Sequence, residues 1–363
     1  MRALAAIALL LLAACSGGGS DETILEPVRY SDLPGWERDQ HAEAFTVFTK
    51  SCAVTKRRAL AWKTKLGEPI GDKAAWLRVC DRANHLIAPT DDEARRFFEE
   101  QFSPVRVMTG REPKGQFTGY YEPLLHGSAT QHGPYQTPVY GVPHGRKNFS
   151  RAEIGAGALK GKAQVLLYVE DPVMLFFLHI QGSGKVRMDD GSILGLQYAA
   201  QNGHQYVAIG KPMREAGMLE TVSLQTIRDW LRAHPGAEAT RVMNLNPSYI
   251  YFKLSPGEEY AKGALGIPLT PLRSVAIDDD RATYGVPTYI ATTRTNYFTG
   301  ANDKLRRLMV SQDTGGALLS PHRTDIFFGR GEEEEWAAGH QNTRGKVYWL
   351  LPRTSVPYSL PLW

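Results

Sequence analysis

Two short stretches near the C-terminus hold the residues best able to do chemistry: Ser311-Gln312-Asp313-Thr314-Gly315-Gly316-Ala317 and Thr324-Asp325-Ile326-Phe327-Phe328-Gly329. Asp313 ends the apolar run Leu308-Met309-Val310 and opens onto two glycines, while Asp325 stands inside a strand-like apolar stretch. A charge is rarely buried without a partner, so such carboxylates are hydrogen-bonded, neutralised or functional. A third aspartate, Asp278, closes the β-like run Arg273–Asp278. A carboxyl kept protonated near neutral pH can give its proton to a leaving oxygen, which is what cleavage of a glycosidic bond requires.

Other segments carry weaker signals. Gly119-Tyr120-Tyr121-Glu122-Pro123 sets two aromatics beside a carboxylate at a strand end, either as a face for sugar rings or as a half-buried strand with a tyrosine pair. Glu122, just before Pro123, is read as structural and solvated. Phe176-Phe177-Leu178-His179-Ile180-Gln181-Gly182-Ser183-Gly184 is expected to be a buried strand running into a Gly-rich loop. There Gln181, Gly182 and Ser183 would grip an acetamido or hydroxyl group, or simply form a hairpin turn. His179 is read as a satisfied core histidine.

The elements that must position these residues follow from periodicity and punctuation. Residues 38–103 are expected to be helical, with Ala42, Phe45, Phe48 and Cys52, then Ala94, Phe97, Phe98 and Phe102, at helical spacing. Thr90 and Glu93 make a capping box for the last helix. Beyond Pro104 short β-rich runs dominate: Gln116–Tyr121, Pro138–Val142, Gln164–Val169, Met174–Gln181, Lys185–Met188 and Gln205–Ile209, then a helix at Ser223–His234. A second series comprises Ser248–Leu254, Arg273–Asp278, Pro287–Ala291, Leu308–Asp313, Asp325–Gly329 and Lys346–Leu351. Met243–Phe252 is expected to return the chain to the first barrel, and the acidic Glu332–Glu335 to be a solvated loop. Strands and helices do not alternate, so a doubly wound parallel sheet is disfavoured. The expected fold is mainly β: N-terminal helices and two small β-barrels.

The chain of 363 residues opens with one arginine and an apolar run from Ala3 to Ala14 before Cys15. That run is too short to span a bilayer, which takes about 20 residues, and it reads as an export signal. Its small residues before Cys15 resemble the lipobox of bacterial lipoproteins. The resemblance implies a signal peptide over 1–14, lipidation at Cys15 and a tether over 15–35. Ser16 in place of aspartate implies an outer-membrane protein facing the periplasm. Cys52 and Cys80 are then free to pair in an oxidising compartment or to stay as buried thiols. A net charge of +4 without a basic stripe argues against nucleic acid. No metal-ligand spacing, phosphate loop or G-x-S-x-G elbow points to a metal or cofactor.

Taken in order, Gly119–Pro123, His179–Gly184, Asn246–Phe252, Arg273–Asp278, Asp313–Ala317 and Asp325–Gly329 resemble the membrane-bound lytic murein transglycosylase A family. Its C-terminal 3D domain is named for three aspartates, which match Asp278, Asp313 and Asp325. The resemblance implies a double-psi β-barrel domain (36–124 and 243–363, the 3D part about 260–352) carrying an inserted barrel over 125–242. Glycan would lie in the groove between the two. It also implies non-hydrolytic cleavage of peptidoglycan, with Asp325 as acid and then base and Asp313 beside it. Asp278 would be structural, and Tyr120, Tyr121, Gln181, Gly182, Ser183, Gly315 and Gly316 would contact glycan. A monomer without cofactor is expected, working on glycan strands, alone or with other wall-remodelling proteins. A hydrolase on the same fold and a non-catalytic glycan-binding lipoprotein are the alternatives.

Overall fold

The computed structural model describes residues 22–58, 70–256, 259–316 and 318–353. The leader, Cys15 and Ala317 lie outside them. In chain order the elements begin β1 (Thr23–Pro27), α1 (His41–Arg58), α2 (Lys73–His85), α3 (Asp91–Gln101), β2 (Phe102–Thr109) and β3 (Gly115–Tyr120). Next come β4 (Leu124–Ser128), β5 (Thr137–Tyr140), α4 (Arg151–Gly155), β6 (Val165–Val169), α5 (Pro172–Gln181), β7 (Gly184–Met188) and β8 (Ile193–Gln201). Then follow α6 (Gly210–Glu215), α7 (Leu224–Ala233), α8 (Ala237–Met243) and β9 (Ile250–Pro256). The series ends with β10 (Ser274–Ile277), β11 (Pro287–Thr295), β12 (Asn302–Thr314), β13 (Thr324–Phe327), α9 (Glu332–His340) and β14 (Asn342–Pro352).

Six strands close on themselves in the order β14-β11-β12-β10-β13-β3, because the long β14 pairs with β11 on one side and with both β2 and β3 on the other. Closure leaves these six strands without free edges. β10–β12 and β13–β3 run parallel, the other barrel pairs antiparallel. The molecule is therefore mainly β with N-terminal helices, as expected. The supposed tether is partly structured: β1, at 23–27, pairs antiparallel with β2.

The expected capping box forms, with Thr90 and Glu93 each accepting the other's backbone N–H at the start of α3. Phe45, Phe48, Phe97, Phe98 and Phe102 interlock and join the barrel core. Arg273 ties this layer to the barrel. Only 1% exposed, it donates to Asp39 at 2.9 Å, Glu43 at 2.9 Å and the carbonyls of Gln40 and Leu308. Removing one partner of such a buried network strands the charge, so the helices are fixed to the strand that leads to the site.

A second sheet runs β5-β6-β4-β7-β8-β9. It extends past residue 242, where the chain was expected to leave it, because β9 pairs with β8 over seven residue pairs. Met174–Gln181, expected as a strand, is helix α5. Asp171 caps it through the amides of Val173 and Met174, Pro172 occupies its first turn, and Gly182 ends it at φ +80°. An unbroken apolar run has no period to distinguish strand from helix, and the caps decide. Gln205–Ile209 forms no strand, and Glu332–Glu335 is the first turn of α9, where carboxylates meet the positive end of the helix dipole.

Cys52 and Cys80 are joined, their Cα atoms 5.4 Å apart, and the bridge links α1 to α2. Closing a loop of this length stabilises by about 3 kcal/mol on the chain-entropy account. Cys52→Ser with Cys80→Ser should lower the unfolding free energy by about that amount, measured by urea denaturation. A change near zero would mean that the bridge does not constrain the unfolded chain.

Candidate functional site

The register of the barrel sets the site. Ala276 on β10 pairs with Asp313 on β12 and with Asp325 on β13, and Asp325 pairs in turn with Thr118 on β3. Residues aligned across neighbouring strands share a face, so both aspartates emerge on one surface with the small Ala276 between them. At the usual strand spacing their Cα atoms are roughly 10 Å apart. An irregularity between Val275 and Ala276 shifts the β10–β12 register just before Asp313, and such a bulge re-aims the side chain beside it.

The two carboxylates are held differently. Asp313 Oδ1 accepts the amides of Ala264 and Thr314, both at 2.9 Å, and Oδ2 accepts the Tyr120 hydroxyl at 3.2 Å. Burial pushes its pKa up to about 6; the three donors favour the anion and pull the other way, and the nearby Asp325 charge adds to the rise. Asp325 is half-buried, and its Oδ1 accepts the Thr118 hydroxyl. Its pKa is also raised by burial, against the Thr118 bond and the charge of Arg323. Burial raises the pKa of the Tyr120 hydroxyl too, which leaves it a donor. The Tyr120 ring lies 5.2 Å from Phe327.

Tyr206, in the segment before α6, lies within electrostatic reach of Asp325, Arg323 and Arg151. It thereby brings the second sheet's side of the molecule to the aspartates. Arg323 keeps a buried Nε with no protein hydrogen-bond partner. Arg151 is buried and bonds the carbonyls of Asn246 and Ser248 and His179 Nδ1 at 2.9 Å. Desolvation lowers its pKa to about 10 and takes that of His179 well below the ordinary value. His179 is a core histidine, stacked on Phe252.

The remaining expected site residues divide. Gly315 is half-buried, where a Cβ would meet Leu318 at 3.5 Å, and Gly316 is exposed, with nothing within 4 Å of a Cβ built on it, so the backbone is open to approach at Gly316. Tyr121 is not open: it is 2% exposed, inside the barrel core. Gln181 accepts the Tyr121 amide at 3.1 Å, so its oxygen serves the junction between the two sheets. Gly182 and Ser183 follow it at the end of α5. Asp278 is buried and accepts Asp280 N–H and Arg281 Nη1 at 3.0 Å, holding the turn after β10. Glu122 is buried rather than solvated, bonded to Ala261 N–H and Arg330. Sequence reasoning missed Thr118, Tyr206, Arg323 and the Ala264 amide. Thr118 alone had a signal, as the residue two before Tyr120 on the same strand face.

A closed β-barrel presenting two half-buried carboxyl groups on one face, with a second β-sheet domain reaching toward them, defines the class of protein. Residues 116–253 match the MltA specific insert domain and residues 273–351 the 3D domain. The membrane-bound lytic murein transglycosylase A of Vibrio cholerae is 36% identical over 256 residues, covering 68% of each chain. The chain belongs to the membrane-bound lytic murein transglycosylase A family, a family of enzymes. The crystal structure of the membrane-bound lytic murein transglycosylase from Agrobacterium tumefaciens superposes with a TM-score of 0.79 at 30% identity, over 91% of this chain and 98% of that one. The Escherichia coli MltA structure with bound chitohexaose superposes at 0.68 with 28% identity, covering 92% of both. No helix among the described residues is long and apolar enough to cross a membrane.

Asp313 binds its proton more tightly in the fold than in the unfolded chain, where its value is 3.8. Its contribution to stability is therefore greatest at low pH and falls as pH rises from about 4 to about 6. Asp313→Asn should unfold at a higher temperature than the parent at pH 7, with the difference narrowing at about pH 4. Parallel melting curves across that range would remove the effect.

Proposed function

We propose that the protein is a peptidoglycan-cleaving lytic transglycosylase in which Asp325 is the single acid and then base. The observation that carries this is the contrast between the two carboxylates. Burial raises both pKa values, but Asp313 has three donors, which suit an anion, whereas Asp325 has one hydroxyl donor. A protonated Asp325 gives its proton to the glycosidic oxygen between N-acetylmuramic acid and N-acetylglucosamine, and the bond from that oxygen to C1 of the muramic acid breaks. The Asp325 carboxylate then takes the proton of the muramic acid C6 hydroxyl as that oxygen bonds to C1. The products are a 1,6-anhydro end and a free C4 hydroxyl, and Asp325 is again protonated.

No water enters, so no second carboxylate is needed to activate one. This favours the lyase over a hydrolase. Both oxygens of Glu122 are taken by Ala261 and Arg330, and Oδ1 of Asp313 by two amides. As an anion Asp313 stabilises positive charge developing at C1. Gly315 and Gly316 let backbone approach the sugar, with Tyr120 beside them. A raised acid pKa has no use in a protein that only binds. Lipidation at Cys15 would hold the enzyme at the outer membrane, facing its polymer.

Asp325→Asn should leave a folded protein that binds glycan but releases no anhydromuropeptides from purified sacculi, analysed by mass spectrometry. Reducing ends, one water heavier, from the parent enzyme would establish hydrolysis instead. The rate at limiting substrate should form a bell in pH. Its acidic limb reports protonation of Asp313, whose pKa is pushed up to about 6, and its alkaline limb reports ionisation of Asp325, the active fraction being the one with Asp313 ionised and Asp325 protonated. In Asp313→Asn the acidic limb should disappear.

A further inference from the structure

Glu122 takes no part in that reaction, yet its contacts lead straight to the site. It lies two residues past the end of β3 and is 2% exposed. Oε1 accepts Ala261 N–H at 2.8 Å; Oε2 accepts Arg330 Nε at 2.7 Å and a second bond from Arg330 Nη2. Lys185 Nζ, on β7 of the other sheet, lies 3.9 Å away. A buried carboxylate with two cations and a backbone donor is a fixed point, because moving it off any of them leaves charge unsolvated.

Ala261 opens a tight loop. Leu269 N–H bonds the Ala261 carbonyl at 3.0 Å, Gly263 N–H the Ile267 carbonyl at 3.1 Å and Leu265 N–H the Gln312 carbonyl at 2.9 Å. Between these anchors, Ala264 N–H reaches Asp313 Oδ1 at 2.9 Å. The fit is close: a Cβ on Gly263 would lie 2.6 Å from the Gln312 oxygen and 3.2 Å from the Asp313 Cβ. Preceding Ala261, the Tyr260 ring stands nearly perpendicular to that of Phe327 with centroids 5.5 Å apart, and the Arg330 guanidinium covers the Tyr260 ring at 5.0 Å. Phe327 packs in turn on Tyr120, another donor to Asp313.

We propose that Glu122 is a positioning residue: by gripping Ala261 and Arg330 together it keeps the 260–265 loop, and hence the Ala264 N–H, on Asp313. This rests on the reading of Asp313 as the anionic neighbour of the acid. The titratable groups facing Asp313 are Tyr120, Tyr284 and Asp325. Both tyrosines are raised by burial, which leaves Asp325 as the other group titrating in the acidic range. Arg330 and Lys185 face Glu122, and Glu259 faces Lys185. Loss of the Ala264 bond removes a donor that favours the Asp313 anion, so the Asp313 pKa must climb above about 6.

The test uses the full chain as Glu122→Ala, which removes both grips, and Glu122→Gln, which keeps an oxygen for Ala261 N–H. Both variants delete the anion beside Arg330 and Lys185 and lose thermal stability, as any structural role predicts. The decisive readouts are therefore the NMR titration of the Asp313 carboxyl and amide hydrogen exchange at Ala261 and Ala264. In Glu122→Ala, Ala264 exchange should quicken at least about tenfold and the Asp313 midpoint rise by about one unit. On sacculi kcat should fall about tenfold with KM held within about twofold. Glu122→Gln should recover most of the Ala264 protection.

A folded Glu122→Ala with unchanged Ala264 exchange and an unmoved Asp313 midpoint overturns the proposal. If that variant does not fold, the parent decides. Its Ala261 and Ala264 amides must exchange through one shared opening, and independent exchange overturns the proposal. Should the parent release no product from sacculi, the functional reading fails, while titration and exchange still decide the role of Glu122.

Discussion

The site depends on one alignment: Ala276 stands opposite two aspartates at once, one on each neighbouring strand. A strand in the middle of a sheet has two partners, and β10 uses both to carry carboxylates onto the same face. The small side chain between them leaves that face open, while barrel closure keeps the surroundings apolar. Closure through β14 therefore matters electrostatically as well as mechanically. An open edge beside β3 or β13 would admit water, and the burial that raises both pKa values would fade.

From that alignment the division of labour follows. Two like charges in one buried surface resist ionising together, so donors decide which of them ionises first. Backbone amides and the Tyr120 hydroxyl favour the Asp313 anion, against the burial that raises both carboxyls. Asp325 has only the Thr118 hydroxyl and the Arg323 charge beside it, and in the proposed reaction it is the proton carrier. The surrounding ion network, with Glu122 among Arg330, Lys185 and Ala261, joins the two sheets at this point, and Arg273 ties the helical layer to the start of β10. Two buried arginines, Arg273 and Arg151, thus do opposite jobs. One is neutralised by carboxylates at the barrel, while the other is satisfied largely by carbonyls and His179 in the second domain.

Much of this was legible in the sequence where a local rule applied. Alternating and apolar runs gave every strand of the barrel proper, Thr90 and Glu93 gave a helix start, and the apolar setting of Asp325 marked a carboxyl out of place. Met174–Gln181 was misread because a wholly apolar segment lacks a period, although Asp171-Pro172 and Gly182 held the information in its caps. The burial of Glu122, read as structural but solvated, was missed for a different reason. Its ion partners lie far away in sequence, 63 residues on at Lys185 and 208 on at Arg330, so nothing near it signals burial.

By itself the sequence determined residue type and local direction: two aspartates closing β-like runs and a third inside one, a tyrosine beside a glutamate, glycines where backbone must be bare. Those follow from period and propensity, which act over a few residues. Only the tertiary structure decided that Asp313 and Asp325 share a face, that Tyr121 turns into the core, that Cys52 meets Cys80 and that Ala264 gives its amide to Asp313. Each of these depends on register and closure between distant segments. A one-residue slip in register would turn a strand's side chains to the other face, and no short stretch of sequence contains that choice.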